Sequence, residues 1–293
     1  MTWYTNYAED RAKAAADAFT AKYGIPVALT RMPSSALIQR FTAERDAGAP
    51  VADLLDYSGL EPFRDADDGD FVVIADEELP SLDAWPEDEI VAGAAPRLSL
   101  DSFVLAYNTD LLTGEDVPES WEDILSPAIA DTVAHPKWDS SIVYIQFLQM
   151  LRDGFGDDFL AEIAALDSTE YESGVPAMQA LAAGEHSVVI PTAASFVLPL
   201  QEAGAPVDFV IPSPTTGIGV YGAVPFDAPN PRAGLLLLDF LMSAEGQEVL
   251  NANVSVSVLE DVPGALVVDE LVVVDRDVAT ESEAELLALV SPR

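Results

Sequence analysis

Apolar and polar positions along the first hundred residues follow two alternating patterns. Short apolar runs typical of strands occupy 2–5, 26–30 and 52–55, and amphipathic or Ala-rich stretches typical of helices occupy 9–23 and 35–47. The order is therefore strand, helix, strand, helix, strand. It predicts the α/β class, with a mostly parallel sheet and helices on its faces.

The later part of the chain repeats this kind of pattern after an acidic, loop-rich stretch at 61–90. Strands are predicted at 132–134 and 188–191, and a Pro-rich loop with a return strand at 211–220. Helices are predicted at 141–153, 157–166, 176–183, 232–250 and 281–289. These elements predict a second α/β set.

One segment, 107–125, joins two such elements with a specific local pattern. It contains YNTDLL, a short gap, and PESWEDIL. Residues 103–107 are typical of a strand, 108–109 of a turn and 110–112 of a helical stub. Ser120 is placed to cap a helix, and Asp123 stands three residues later as its capping-box partner.

This segment and three others resemble, in the same order and spacing, the type II solute-binding proteins of ABC importers. That family includes ferric-ion, thiamine, phosphonate and sugar-phosphate binders. The other three segments are WYTNY with the Ala-rich helix that follows it, GVPAMQALAAGEHSVVI at 174–190, and PNPRAGLLLLDFLMSAEGQ at 229–247. The resemblance therefore touches most of the chain.

The resemblance implies a two-lobed fold with a hinge and a ligand cleft between the lobes. Lobe one would comprise 1–105 and 222–293, and lobe two 106–221. The expected role is non-catalytic: a monomeric receptor hands a small-molecule ligand to an ABC permease and its ATPase subunit. The expected location is extracytoplasmic, either periplasmic or lipid-anchored at the cell surface, with Met1 in place of a removed leader.

The charge balance excludes some partners. The 293 residues include 51 acidic and 13 basic side chains, a formal charge of −38. Such a field repels nucleic acids and anionic membrane surfaces. It suits either a salt-adapted organism or an acidic exported protein of a high-GC bacterium, and both interpretations stay open. Zero cysteines exclude disulfides and thiolate metal sites. Apolar runs are too short for a membrane span.

Three predicted turns place hydroxyls where a strand ends and a helix begins. They carry Ser34 and Ser35; Ser140 and Ser141, with Trp138 beside them; and Thr192 and Ser195. Such positions offer free backbone N–H groups to anions. Each serine also fits simple helix capping. Their equivalent topological positions favour a site for an oxyanion-bearing solute such as a phosphonate, a sugar phosphate or a carboxylate.

Further candidates are Tyr7 in the first strand–helix loop, Tyr57 and Ser58 after the third strand, and Tyr221 near the second crossover. Their rings could stack on a ligand or bind it through the hydroxyl. Buried packing with a satisfied hydroxyl is the alternative for each tyrosine.

No metal or cofactor is expected. By resemblance, ferric-binding members carry a tyrosine pair where this chain has Ala194 and Ser195, a histidine at or beside Ala8, and an acid near Gly59. Fe³⁺ prefers anionic oxygen ligands. Two alternatives remain: iron(III) binding through a non-standard ligand set, and a cleft hydrolase using a carboxylate pair. No GxSxG, HExxH or P-loop motif supports an enzyme.

Overall fold

The computed structural model describes residues 1–64, 69–77 and 79–291. The strands are, in chain order, β1 (Thr2–Thr5), β2 (Ala28–Arg31), β3 (Leu54–Ser58), β4 (Ile90–Val91), β5 (Ala95–Asn108), β6 (Val133–Pro136), β7 (Thr169–Tyr171), β8 (Val188–Ala193), β9 (Val207–Val210) and β10 (Gly217–Ala223). The helices are α1 (Glu9–Tyr23), α2 (Ser34–Asp46), α3 (Glu61–Arg64), α4 (Ile142–Phe155), α5 (Asp157–Ala164), α6 (Gly174–Ala182), α7 (Ala194–Glu202), α8 (Pro231–Met242), α9 (Ala244–Asn251) and α10 (Arg276–Val290).

The chain divides into two compact units. The first comprises 1–100 and 219–266, and the second 101–218 and 267–293. Both mix strands and helices, so the predicted α/β class is confirmed. Along the described ranges, no helix is both long and apolar enough to cross a bilayer.

In the first unit, β2, β1 and β3 are parallel neighbours, and β10 pairs with β3 in the antiparallel direction. Helix α1 forms because its small and apolar residues recur at helical spacing and bury Ala12, Ala15, Ala16 and Phe19. It ends at Gly24, whose φ of 71° closes the helix. The carboxyl ends of the three parallel strands meet at one edge of the sheet.

The predicted single helix at 232–250 is wrong, because it is broken into α8 and α9. Ser243 separates them, and its hydroxyl accepts a hydrogen bond from the Gly246 N–H at 3.2 Å. A Cβ at position 246 would lie 1.9 Å from the carbonyl oxygen of Phe240. Glycine is therefore needed for the close approach of the two helices at this corner.

In the second unit, the later part of β5 pairs with β8 and β9 in the antiparallel direction, and β8, β6 and β7 are parallel. Large apolar side chains of this unit's core pack against α4, where the Phe147 ring meets the Trp121 ring edge-on with centroids 4.9 Å apart. The Trp121 indole N–H donates to the Pro214 carbonyl oxygen at 2.7 Å.

The C-terminal helix differs from the expected lobe division, which placed 222–293 together. Residues 267–293 belong to the second unit. Helix α10 contacts α4 and α5 and buries Ala279, Leu286 and Val290 in their core. Its apolar face therefore completes the second unit.

The segment around Ser120 also differs from its predicted form. Residues Glu122–Leu125 make a short 3₁₀ turn, and 110–112 form no helix. The Asp123 carboxylate accepts the N–H groups of Glu119 and Ser120 at 2.9 and 2.8 Å and the Ser120 hydroxyl at 3.0 Å. These bonds, the Glu119 N–H first, lower the pKa of Asp123. The acid therefore organises the turn, and the serine donates to it.

Candidate ligand-binding site

A polar cluster lies at the carboxyl edge of the first unit's sheet. The Asn6 side-chain amide donates to the Ser34 hydroxyl at 3.0 Å and also to the Ser58 hydroxyl. Asn6 follows β1, Ser34 follows β2 and Ser58 ends β3. The structure thus brings together two predicted residues through a third that the sequence did not single out. The Asn6 Oδ1 atom is buried and has no partner among the described residues.

Arg31 adds a cation to this edge. It is exposed at the end of β2, and its Nε donates to the Tyr7 carbonyl oxygen at 3.1 Å. Within the described ranges, no carboxylate lies at ion-pair distance from it, whereas Arg45 pairs with both Asp70 and Asp227. In a chain with 51 acids, an arginine held by a backbone oxygen keeps its charge available to an anion.

The start of α2 also favours a bound anion at this edge. The Ala36 and Leu37 N–H groups donate to the Pro33 carbonyl oxygen, each at 3.0 Å, so the N–H groups of Ser34 and Ser35 precede the first helical hydrogen bond. Ser35 is exposed. Unbonded N–H groups and the positive end of the helix dipole favour an anion at this place.

A buried carboxyl group holds the loop that carries Asn6. Asp56 on β3 is fully buried, and it accepts the Trp3 indole N–H at 2.7 Å and the Asn6 backbone N–H at 2.9 Å. Burial raises the pKa of Asp56 to about 7, while hydrogen bonds from Thr5, Asn6 and Trp3 and the charge of Arg11 limit the rise. Sequence reasoning missed this residue.

The three predicted tyrosines lie in different surroundings. Tyr7 is buried, its hydroxyl bonds to that of Ser99 at 2.9 Å, and the Arg11 guanidinium lies 4.4 Å from its ring centre. Tyr57 is half-buried on β3, directly opposite Tyr221 of β10. Burial raises the pKa of Tyr221. Tyr7 therefore has the packed, satisfied arrangement that the sequence left as its alternative.

The second unit presents hydroxyls without partners. Thr192 at the end of β8 is buried, and its Oγ1 has no hydrogen-bond partner in the described part of the chain. The same holds for Ser102 on β5. Thr192 lies opposite Val104, two residues from Ser102, so both hydroxyls belong to one face of the paired strands. Helix α7 begins next to Thr192 and has Ser195 in its first turn.

In the turn after β6, most of the predicted site residues are buried or already hydrogen-bonded within the turn. Trp138 is buried and stacks on the His135 ring, with centroids 4.5 Å apart and planes inclined by 12°. The Ser140 hydroxyl donates to the Lys137 carbonyl oxygen at 2.5 Å. Burial lowers the pKa of His135. Only Ser141, half-buried before α4 and without a side-chain capping bond, stands as an open hydroxyl in this turn.

Few metal-binding side chains lie at the positions where ferric-binding members of the family were expected to carry their ligands. Ala194 and Ser195, at the start of α7, occupy the place of the expected tyrosine pair. Among the residues that the structure describes, no group of three or more His, Cys, Asp or Glu side chains could hold a metal ion. The raised pKa of Tyr221 disfavours the tyrosinate form that Fe³⁺ prefers.

The chain belongs to the family of bacterial extracellular solute-binding proteins, whose pattern matches residues 5–248. Its fold is that of the two-lobed type II periplasmic binding proteins. No curated protein gives a significant match to the chain.

Three solved structures show the similarity. The substrate-binding protein of an ABC transporter from Agrobacterium tumefaciens is 18% identical, with a TM-score of 0.75, over 99% of this chain and 94% of that one. Iron-bound HitA from Pseudomonas aeruginosa is 19% identical, with a TM-score of 0.72, over 99% and 98%. AfuA from Actinobacillus pleuropneumoniae, with fructose-6-phosphate bound, is 22% identical, with a TM-score of 0.67, over 98% and 96%.

Proposed function

We propose that this protein captures a small solute bearing an oxyanion and delivers it to the permease of an ABC importer, driven by an ATPase subunit. It acts outside the cytoplasm, as a periplasmic or lipid-anchored receptor, and it works as a monomer. Its role is to bind and release, without a catalytic step. Membership of the solute-binding family supports the transport role.

The observation that carries the choice of ligand is the cluster at the edge of the first unit. Two serine hydroxyls joined by Asn6, the N–H groups at the start of α2, and an arginine with no acidic partner among the described residues lie at the ends of neighbouring strands. Hydroxyl and N–H donors around a cation match the charge and hydrogen-bonding capacity of a phosphoryl, phosphonyl or carboxylate group. Ser35 and Tyr57 would border the same group.

The second unit would supply neutral contacts to the rest of the solute. Thr192, Ser141 and Ser195 offer hydroxyls at the beginnings of helices, and the Thr192 hydroxyl has no partner within the described ranges, so a solute would provide one. Closure of two lobes around a ligand is the motion by which such receptors hold their cargo. Tyr221 would lie near the crossover between them.

Iron(III) remains the second candidate, because HitA is a structural relative and was solved with iron bound. The residues at the start of α7 weigh against it, since alanine and serine are poor ligands for Fe³⁺. A carboxylate-pair hydrolase would require two acids sharing a cleft and a measurable turnover.

Native mass spectrometry of the protein as purified tests the proposal, followed by calorimetric titration with four probes: methylphosphonate, fructose 6-phosphate, citrate and ferric nitrilotriacetate. We expect at least one phosphoryl or carboxylate probe to bind in the micromolar range or tighter. Binding of the ferric probe with a visible charge-transfer band, and of no metal-free anion, would overturn the oxyanion assignment. Turnover of a phosphate ester would overturn the non-catalytic role.

A further inference from the structure

We propose that anion capture at Asn6, Ser34 and Ser58 is coupled to uptake of a proton by Asp56, the positioning residue of that site. The inference rests on the proposed oxyanion site and adds a regulation to it. The solute would be held more tightly in acidic than in alkaline surroundings.

The geometry links the carboxyl group to the cluster through one residue. The Asp56 Oδ1 accepts the backbone N–H of Asn6, whose side chain donates to Ser34 and Ser58. The Asp56 Oδ2 accepts the Trp3 indole, which anchors the carboxyl group from β1. Asp56 thus fixes the position of the residue that joins the two serines.

The bond that anchors Asn6 can be kept in both protonation states of Asp56. A carboxylate accepts all three donors around it, the N–H groups of Trp3 and Asn6 and the hydroxyl of Thr5. A neutral carboxyl group can still accept both N–H groups and donate its own proton to the Thr5 oxygen, which also accepts the Tyr7 N–H at 3.1 Å; the Thr5 hydroxyl then gives up its own bond to Asp56. Protonation therefore removes a charge without removing the anchor.

Charged groups around Asp56 come from several elements. Arg11 on α1 lies over the Tyr7 ring and favours the ionised form. Arg31 at the end of β2 is bonded to the Tyr7 carbonyl oxygen. Just before β3, Asp53 accepts the backbone N–H groups of Thr2 and Asn230. On β10, the residue opposite Asp56 is Gly222, which carries no charge.

The sign of the coupling follows from charge repulsion. A buried carboxyl group whose pKa is already about 7 is half-protonated near neutral pH. An anion bound at the serines adds a negative charge that disfavours the carboxylate, so the pKa rises further and a proton is taken up. For a single charge roughly 10 Å away at an effective dielectric constant of about 20, the effect amounts to about one pKa unit, and for a dianion to about two.

Sulfate is the first probe, because it stays a dianion across the range and contributes no titration of its own. We expect its Kd to be about tenfold lower at pH 6 than at pH 8. Calorimetry at pH 7 in two buffers of different ionisation enthalpy should show uptake of a fraction of a proton. Sulfate binding with equal Kd at both pH values and no proton uptake would overturn the coupling and leave the proposed function standing. Failure of sulfate to bind at any pH would count against both.

Two substitutions remove the titrating group. Asp56→Asn keeps the shape, but its NH2 group faces either the Trp3 or the Asn6 N–H, which donate to different oxygens of Asp56, so its sulfate affinity should be lower overall and the same at pH 6 and pH 8. Asp56→Ala removes the anchor and should weaken binding at every pH. The matched control is Asp239→Asn, a buried acid on α8 that accepts the Ser81 N–H at 2.8 Å, and it should keep the pH dependence. A pH dependence retained in Asp56→Asn would contradict the proposal.

A ligand-free measurement remains if Asp56→Asn fails to fold. The indole N–H resonance of Trp3, assigned among four tryptophans by Trp3→Phe, should shift with a midpoint near pH 7, because its acceptor changes charge. Saturating sulfate, a dianion, should raise that midpoint by about two units. A resonance that does not titrate between pH 6 and pH 8 would overturn the assignment of the proton to Asp56.

Discussion

The strand ends of the two units both carry hydroxyl side chains, but these differ in their hydrogen bonding within the described structure. In the first unit, the hydroxyls of Ser34 and Ser58 are already bonded to Asn6. In the second, the hydroxyls of Ser102 and Thr192 are buried without partners in the described structure. A charged group, Arg31, stands only in the first of these two sets.

This difference separates two ways of building a polar site. A bonded cluster is organised before the ligand arrives, so binding costs little ordering of side chains. A buried hydroxyl without a partner costs free energy until something bonds to it, so a ligand regains that cost on arrival. We infer that the first unit determines the charge of the solute and the second favours its retention.

The largest expected effect concerns Asp56 and the stability of the first unit. A pKa raised to about 7 means that the folded state keeps its proton where the unfolded chain, near 3.8, has lost it. The free energy of unfolding should therefore fall as pH rises from about 4 to about 7, by an amount on the order of 4 kcal/mol, and stay at the lower value above pH 7.

The measurement is urea unfolding from pH 4 to pH 8 of the unaltered protein and of Asp56→Asn, at constant ionic strength. The difference between the two should change by about that amount across the range and then level off. A constant difference would mean that the folded state does not retain a proton on Asp56 over that range.

The next effect concerns Arg31 and the affinity for an anion. Arg31→Ala should weaken binding of the anionic probe by roughly 10- to 100-fold, because charge-assisted hydrogen bonds contribute about 1.5–3 kcal/mol. Arg232→Ala, at the start of α8, removes the same charge from another exposed position and should change the Kd less than threefold. Equal losses in both variants would mean that only net charge matters.

A matched pair of substitutions tests the contrast between bonded and unbonded hydroxyls. Thr192→Val removes a buried oxygen without a partner, so it should raise the free energy of unfolding by about 1 kcal/mol and still weaken solute binding. Ser58→Ala breaks an existing bond to Asn6, so it should lower stability by about 1 kcal/mol and also weaken binding. Denaturant unfolding and calorimetry measure both quantities. Destabilisation by Thr192→Val would show that its hydroxyl is already satisfied, for example by ordered water.

The smallest effect is the response to salt. Repulsion within a chain of formal charge −38 weakens as salt is added, so the melting temperature should rise with NaCl up to ~1 M, where the screening length is ~3 Å. The loss of affinity in Arg31→Ala should shrink at high salt, and the loss in Thr192→Val should not. A flat or falling melting temperature would remove the argument for a salt-adapted surface.

Local pattern predicted much of the fold. The bounds of β1 and α1 match because an apolar run and an Ala-rich amphipathic stretch are unambiguous. The break at Ser243 was missed because the apolar periodicity continues through it. The close contact at Gly246 that requires the break depends on how α8 and α9 pack.

The candidate site was predictable only in part, for a related reason. Ser34 and Ser58 were predicted as site residues because hydroxyls at strand ends are visible in sequence, and their role in binding stays a prediction. Asn6 was missed because its role depends on three loops meeting. Asp56 was missed because nothing in the neighbouring sequence distinguishes this buried acid from the other acids among the 51. The two interpretations of Tyr7 differ only in burial, which tertiary packing decides.

The position of α10 has a consequence for the order in which the protein can fold during synthesis. The core of the second unit lacks Ala279, Leu286 and Val290 until the last stretch of the chain has been made. The first unit needs residues up to 266. Each unit therefore lacks part of its core until residues far from its first strands have been made, although domains of other proteins commonly fold one after another. The first half of the chain cannot complete either core on its own.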